Sequence, residues 1–438
     1  MTELKLRIDA KVSELGPGER DLLLERRPAG EGELRDRVAA ILEEVRRDGD
    51  AALLRMARDF DGVELPRLEV PRERWGEALE TLDPAVRAEL ERAARNLEAF
   101  HRAQLPADVE LETEPGVRLG RKVVPLRAVG VYAPGGRAAY PSSVLMGVVP
   151  ARAAGVREIV VTSPPGPSGE PPAEVLAACA IGGATRLFAL GGAGAVAALA
   201  YGAGSIPQVD AVVGPGNRWV TEAKRQVAGE LRIDSPAGPS EVLVIAGPDA
   251  DPDRVAGELV AQAEHDPEAA VAVVSWDAGL LDRVREALAR QVSAAPRRSV
   301  VKEALAHLGA FLLAEDRAEA LRFAEEYAAE HLAIFTDDPR GDMGTQTTAG
   351  TVFLGSSSTV AFGDYMTGAN HVLPTSGRSR SFSGLSTLEF VRFFTWQELT
   401  EEGAAAMSEG TARLADAEGL PGHAAAARAR GAAGGDGR

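Results

Sequence analysis

Two short groupings hold the residue types that proton transfer and metal binding require. Glu330 and His331 are adjacent, just before the apolar run LAIF. A neighbouring carboxyl and imidazole can divide proton-transfer work, because each can be tuned towards the operating pH. A solvated helix end explains the same pair more simply, and spacing alone favours that. Gln262 and His265 stand three apart at the end of a helical stretch, so they share one helix edge. The carbonyl end of a helix attracts a cation, either an imidazolium or a metal ion. His265, His423 and a carboxylate have the chemistry of a zinc site, but their spacing matches no compact motif. Of the remaining histidines, His101 follows a charged helical run and reads as a surface residue, and His307 reads as structural. The turn GPGN at 214–217 offers glycines for close backbone approach, with Asn217 as cap of a helix whose N-terminus attracts phosphate. An ordinary tight turn reads the same way. The dinucleotide fingerprint GxGxxG is met only loosely, by Gly192, Gly194 and Ala197, with no suitable acid at the end of the next strand.

The elements that must position these groups follow from periodicity. The stretch 234–267 runs from a Pro/Gly-punctuated loop into the short β-branched strand Glu241–Ala246, then into a helix with Asp251 as N-cap and Pro252 in its first turn. Val255, Leu259 and Ala263 make its apolar stripe. Pro267 disfavours helix at Asp266, which places His265 in the last turn. Residues 1–28 read as a polar arm, and 31–105 as structural helices with apolar residues every three or four positions. From Val123 short apolar strands alternate with helices, the rhythm of right-handed βαβ units on a parallel sheet. The same rhythm resumes at Glu241, so two similar α/β halves are expected, with the chain crossing between them near 236–241. Ligands of such sheets gather at strand carboxyl ends, where three loops are candidates: APGG at 133–136, GPGN, and SPAGPSE at 235–241. A long loop of the kind that is functional or disordered follows Thr351, then a helical segment over 390–419 and a frayed tail from Ala424.

The chain has 438 residues, more than one core sustains, so at least two domains are expected. A formal charge of −17 argues against a nucleic-acid surface and otherwise signals solubility. The single cysteine, Cys179, lies in an apolar run, which excludes an intramolecular disulfide and fits a reducing compartment. With no secretory leader and no apolar run long enough to span a bilayer, a soluble cytoplasmic protein without membrane or nucleic-acid partners is expected.

Five motifs in order, GPGN with VTEAKRQV, DSPAGPSEVLVIA, AEHDP, AEHLAIF and GDYMTGANHVLPT, resemble histidinol dehydrogenase, and the likeness runs from about Arg26 to His423. The resemblance implies an NAD-dependent oxidation of L-histidinol through L-histidinal to L-histidine, the last steps of histidine biosynthesis. It also implies one zinc ion per subunit and a homodimer with shared active sites, built on two Rossmann-like domains. The domain boundaries are then expected as an N-terminal arm at 1–28, a first α/β domain of 29–131 with 241–385 carrying zinc and catalytic residues, a second of 132–240 on the NAD side, and a helical C-terminal segment with a disordered tail at 386–438. By motif, Gln262, His265, Asp364 and His423 would be zinc ligands, with His423 given by the partner subunit. Glutamine is not among the usual zinc donors, so Gln262 comes from the resemblance alone. Glu330 and His331 would be catalytic. Ser240, His371 and Glu418 would contact substrate beside Gln262, His265, His331, Asp364 and His423, while Tyr132 and Asn217 would contact NAD. One departure stands out: the family motif GGAQA reads GGAGA here, and Gly194 removes two donors and an acceptor from the expected cofactor site. Rival readings are a paralogue oxidising another polar alcohol, such as a sulfonated diol, and a zinc hydrolase with Glu330 as general base.

Overall fold

The computed structural model describes residues 4–26, 31–135, 139–235 and 238–431. Outside them lie both ends of the expected arm, Gly136 of the APGG turn, Pro236 and Ala237 of the crossing loop, and the tail beyond 431.

Two parallel sheets organise the first compact unit, Met1–Gln104 with Leu126–Phe390. The larger has six strands in the order Ile8–Lys11, Gly309–Leu313, Ala270–Ser275, Glu241–Ala246, His331–Phe335 and Thr351–Leu354. Its central strands are continuous apolar runs because helices cover both faces: every residue of Glu241–Ala246, Ala270–Ser275 and His331–Phe335 is buried. Separate apolar clusters fill the two faces, one around Val255, Leu259 and Leu288, the other around Phe323, Tyr327 and Leu332. The smaller sheet has five strands in the order Arg186–Ala189, Glu158–Ser163, Ala128–Tyr132, Ala211–Val213 and Arg232–Ile233. The expected α/β class with two Rossmann-like halves on parallel sheets is therefore present.

Several boundaries differ from the sequence reading. The N-terminal arm is not merely polar: Ile8–Lys11 adds an edge strand to the six-stranded sheet, and Leu23 of the Pro17–Glu25 helix is buried in its core. The expected first α/β domain joins 29–131 to 241–385, yet Val38, Leu42, Val45, Leu53 and Met56 pack into the core of the five-stranded sheet, and Ala128–Tyr132 is that sheet's central strand. Helical periodicity shows which face is buried but not which sheet receives it.

The second compact unit, Leu105–Pro125 with Val391–Arg438, holds an antiparallel sheet in the order Val391–Leu399, Val117–Pro125, Val109–Glu114. Residues 390–399 were expected to be helical; nine of them form a strand instead, Val391–Leu399, in register with the Val117–Pro125 strand. Phe393, Phe394, Thr395 and Trp396 are residue types that favour a pleated surface. Trp396 lies across Gly120, where a Cβ would stand 2.1 Å from its ring. The helices Glu401–Ala417 and Pro421–Gly431 follow, the second taking in the start of the expected tail and burying Ala424 against Ala412 and Ala415. Among the described residues no helix is long and apolar enough to cross a membrane.

Candidate active site

The catalytic candidates stand where strands of the six-stranded sheet begin. His331 opens the strand His331–Phe335, in register with Val242 on one side and Thr351 on the other, and Glu330 immediately precedes it. Both are buried, so the solvated helix end that spacing favoured is not what forms. The Nδ1 of His331 lies 3.0 Å from the carbonyl oxygen of Glu241. A carbonyl only accepts, so Nδ1 carries the proton and Nε2 presents a lone pair. That Nε2 is buried without a hydrogen-bond partner, 3.8 Å from a carboxylate oxygen of Asp364. Burial holds the imidazole below its ordinary pKa, with the Asp364 carboxylate acting against it, so His331 is a neutral base around neutral pH. The Glu330 carboxyl accepts the Glu241 N–H at 2.8 Å and lies 3.5 Å from His331 Nδ1. Burial first, then the charge of Glu241, push the Glu330 carboxyl well above the ordinary range.

The helix Pro252–Ala263 begins as its sequence implies, with the Asp251 carboxylate accepting the Asp253 N–H. It ends two residues sooner than expected, at Ala263 with Glu264 as C-cap, so His265 lies just beyond it. The His265 ring still reaches back, donating from Nδ1 to the Ala261 carbonyl at 2.9 Å, which leaves Nε2 free on an exposed side chain. Gln262 is 2 % exposed, and its Oε1 is buried with no partner. A buried amide oxygen left unpaired is costly unless something absent from the chain itself fills the position. Asp364 comes from the short helix Val360–Tyr365 inside the expected long loop, capped by Thr359. The chain then folds back, so that His371 Nδ1 donates to the Asp364 carbonyl at 3.0 Å and its Nε2 approaches Ser143 Oγ at 3.4 Å. His265 Nε2 and the Asp364 carboxylate are donors of the kind zinc takes, and the orphaned amide oxygen of Gln262, though not a usual zinc donor, leaves a position a cation would satisfy. Among the described residues no group of three or more His, Cys, Asp or Glu is placed to hold a metal.

Several supporting residues escaped the sequence reading. Glu258, one turn before Gln262, is buried, and its carboxylate accepts the Val360 N–H at 3.0 Å, tying the Gln262 helix to the Asp364 helix. Its spacing of four from Gln262 was the available signal. His101 is fully buried rather than on the surface. Its Nδ1 meets the Leu97 carbonyl at 2.9 Å and its Nε2 lies 3.4 Å from the Asn370 amide, beside His371. His307 is exposed on its helix and takes no part. Ser240 is part-buried at the start of Glu241–Ala246, its carbonyl accepting the Ala270 N–H at 3.1 Å.

The cofactor candidates stand at the opposite kind of edge, where strands of the five-stranded sheet end. Tyr132 closes the strand Ala128–Tyr132, and its hydroxyl accepts the Gly192 N–H at 3.2 Å, at the start of the helix Gly192–Tyr201. Burial pushes this phenol up to about 12, so it stays protonated. Asn217 caps the helix Arg218–Val227 by accepting the N–H groups of Trp219 and Val220. Gly214 has φ +112°, and a Cβ there would sit 2.1 Å from the Tyr132 carbonyl oxygen. Its N–H donates to Asp234 at 2.8 Å and its carbonyl accepts from buried Lys224 at 3.0 Å, while Lys224 and Asp234 form an ion pair. Two helix N-termini with free space at Gly192 suit a phosphate-bearing ligand. Gly194, by contrast, is buried, and its Cβ would face Met56 Sδ at 3.0 Å and Leu53 at 3.4 Å, so this glycine lets the Asp50–Met56 helix pack closely.

Glu418 and His423 belong to the second compact unit. Glu418 caps the C-terminus of Glu401–Ala417 and His423 lies in the first turn of Pro421–Gly431, both exposed at one helix–helix turn.

A family model described as histidinol dehydrogenase matches residues 24–431. Relatives named histidinol dehydrogenase include those of Haloarcula marismortui, 46% identical over 420 residues that cover 96% of this chain and 98% of the relative, and of Natronomonas pharaonis, 47% identical with 94% and 97% covered. The crystal structure of histidinol dehydrogenase from Elizabethkingia anophelis is 32% identical and superposes with a TM-score of 0.92, covering 97% of this chain and 98% of that one. Likeness over the whole length, in sequence and in architecture, leads to one conclusion: the chain belongs to the histidinol dehydrogenase family.

Proposed function

We propose that the chain oxidises L-histidinol to L-histidine by way of L-histidinal, at sites shared between two copies of the chain. The observation that supports this most is the buried, unpartnered Nε2 of His331 beside the raised carboxyl of Glu330. Gln262, His265 and Asp364 would hold one zinc ion per subunit, with His423 supplied by a second copy. Zinc has no redox role and, when bound, supplies a positive charge that anchors a substrate's imidazole and amine. NAD, when bound beside Tyr132 and Asn217, supplies the acceptor for both oxidations. Ser240, His371 and Glu418 orient the substrate, and orientation of this kind can contribute roughly 7–11 kcal/mol. His331 takes the alcohol proton on Nε2 in the first oxidation. Glu330, once ionised, takes a proton from water as it adds to the aldehyde, and the resulting hydrate is oxidised to the acid. The adjacent pair thus separates the two half-reactions.

The deciding assay gives zinc-loaded protein histidinol and NAD and follows reduced nicotinamide. Its appearance supports the reading. Turnover of a sulfonated diol with none of histidinol would select the paralogue, and hydrolysis without nicotinamide would select a zinc hydrolase. Sharing of sites is tested with mixed dimers of His423→Ala and His331→Asn chains, which should recover activity that neither homodimer has; no recovery rejects shared sites.

A further inference from the structure

Beneath the Glu330–His331 pair lies a buried ion pair of residues with no part in the chemistry above. Arg26, just beyond the N-terminal helix Pro17–Glu25, sends its guanidinium to the Glu241 carboxylate, with Nε 2.5 Å from one oxygen and Nη2 3.1 Å from the other. Both side chains are 2 % exposed. Arg26 also stacks 3.8 Å from the centre of the Tyr327 ring and donates to the Tyr327 carbonyl at 2.9 Å. Glu241 in turn touches both members of the pair with every polar group it has. Its N–H holds the Glu330 carboxyl at 2.8 Å, its carbonyl holds His331 Nδ1 at 3.0 Å, and its carboxylate accepts the Glu330 N–H at 3.3 Å and the Ser376 N–H at 3.0 Å.

Backbone strain gathers at the same place. Among the described residues the non-glycine residues with positive φ are Arg26 at 40°, Ala328 at 52° and Ser376 at 57°. Arg26 is the cation itself, Ala328 follows the Tyr327 that it stacks on, and Ser376 donates to Glu241. Such conformations persist only where the surroundings over-determine them, and they concentrate at functional sites. A lone buried carboxylate under Glu330 would be expensive, and the bidentate fork of an arginine removes that cost while fixing direction.

We infer that Arg26 and Glu241 are positioning residues for Glu330 and His331, the N-terminal segment supplying the cation that clamps the catalytic pair in its working orientation. The inference rests on the proposed role of Glu330 in aldehyde oxidation. A double-mutant cycle on the zinc-loaded dimer tests both and keeps them apart, with histidinal and histidinol oxidation measured for wild type, Arg26→Gln, Glu330→Gln and the double variant. Arg26→Gln should slow histidinal oxidation about tenfold or more at little change in KM, since small misplacements of a catalytic group are costly. In the Glu330→Gln background the same substitution should cost less than twofold, because the group it positions is gone. An undiminished loss in that background overturns the positioning role, while no loss from Glu330→Gln itself overturns the reading of Glu330. Arg26→Lys, which keeps the charge but not the fork, should retain an intermediate rate. If Arg26→Gln does not fold, the cycle is run with Arg26→Lys, and wild-type rates there reject the proposal.

Discussion

At the six-stranded sheet the candidate groups stand where strands begin and helices end, and at the five-stranded sheet they stand where strands end and helices begin. His331 and Glu241 open their strands with Glu330 just before the first, and Gln262 lies in the last turn of a helix with His265 just beyond it. Tyr132 closes its strand, and Gly192 and Asn217 open helices. Each helix carries a negative partial charge at its carbonyl end and a positive one at its amide end. One edge is therefore suited to a cation, the other to a phosphate group. On the proposed assignment of sites, the rule that open α/β sheets bind ligands beyond strand carboxyl ends holds for the smaller sheet and is reversed for the larger.

The comparison can be broken by substitutions that ought to harm one edge alone. The largest effect is expected from Glu330→Gln, which should slow histidinal oxidation about 100-fold or more while histidinol oxidation falls far less. Equal losses would end the division of labour between Glu330 and His331. Next comes Glu258→Gln, which loosens the tie between the Gln262 and Asp364 helices. Supporting residues of this kind are worth about 10–100-fold in metal affinity, so zinc content after dialysis should drop while the KM for NAD stays put. A change in NAD binding with zinc retained would contradict the assignment of edges. Gly214→Ala is the converse, since its Cβ would strike the Tyr132 carbonyl. The KM for NAD should rise about tenfold, in line with a strain of roughly 1–3 kcal/mol, with zinc content unchanged.

The smallest expected effect is on pH. In the proposed roles His331 acts when neutral, and burial lowers its pKa, whereas Glu330 acts when ionised, and burial raises its pKa. The acid limb of histidinal oxidation should thus lie above the ordinary carboxylate range and that of histidinol oxidation below the ordinary imidazole value, and a limb at either group's ordinary value would refute its buried environment.

Local signals were legible where a residue and its neighbours in sequence decide the outcome. Asp251, Pro252 and the stripe Val255, Leu259, Ala263 set their helix as read, and the alternation of strands and helices announced two parallel sheets. Long-range choices were not legible. The run at 390–399 carried enough helical pattern to mislead until its pairing with Val117–Pro125 was visible, and His101 passed for a surface residue because its burial depends on Asn370, far along the chain.

Sequence by itself determined the family, through motifs whose residue types and order survive without coordinates, and with it the identities of Glu330, His331, Gln262, His265 and Asp364 as candidates. Only the tertiary structure decided which nitrogen of His331 is free, which helices cover which sheet, and that Arg26 reaches Glu241 across 215 positions. The physical reason is common to all three. Desolvation and hydrogen-bond partners arise from residues brought together by folding, and neither can be computed from spacing along the chain.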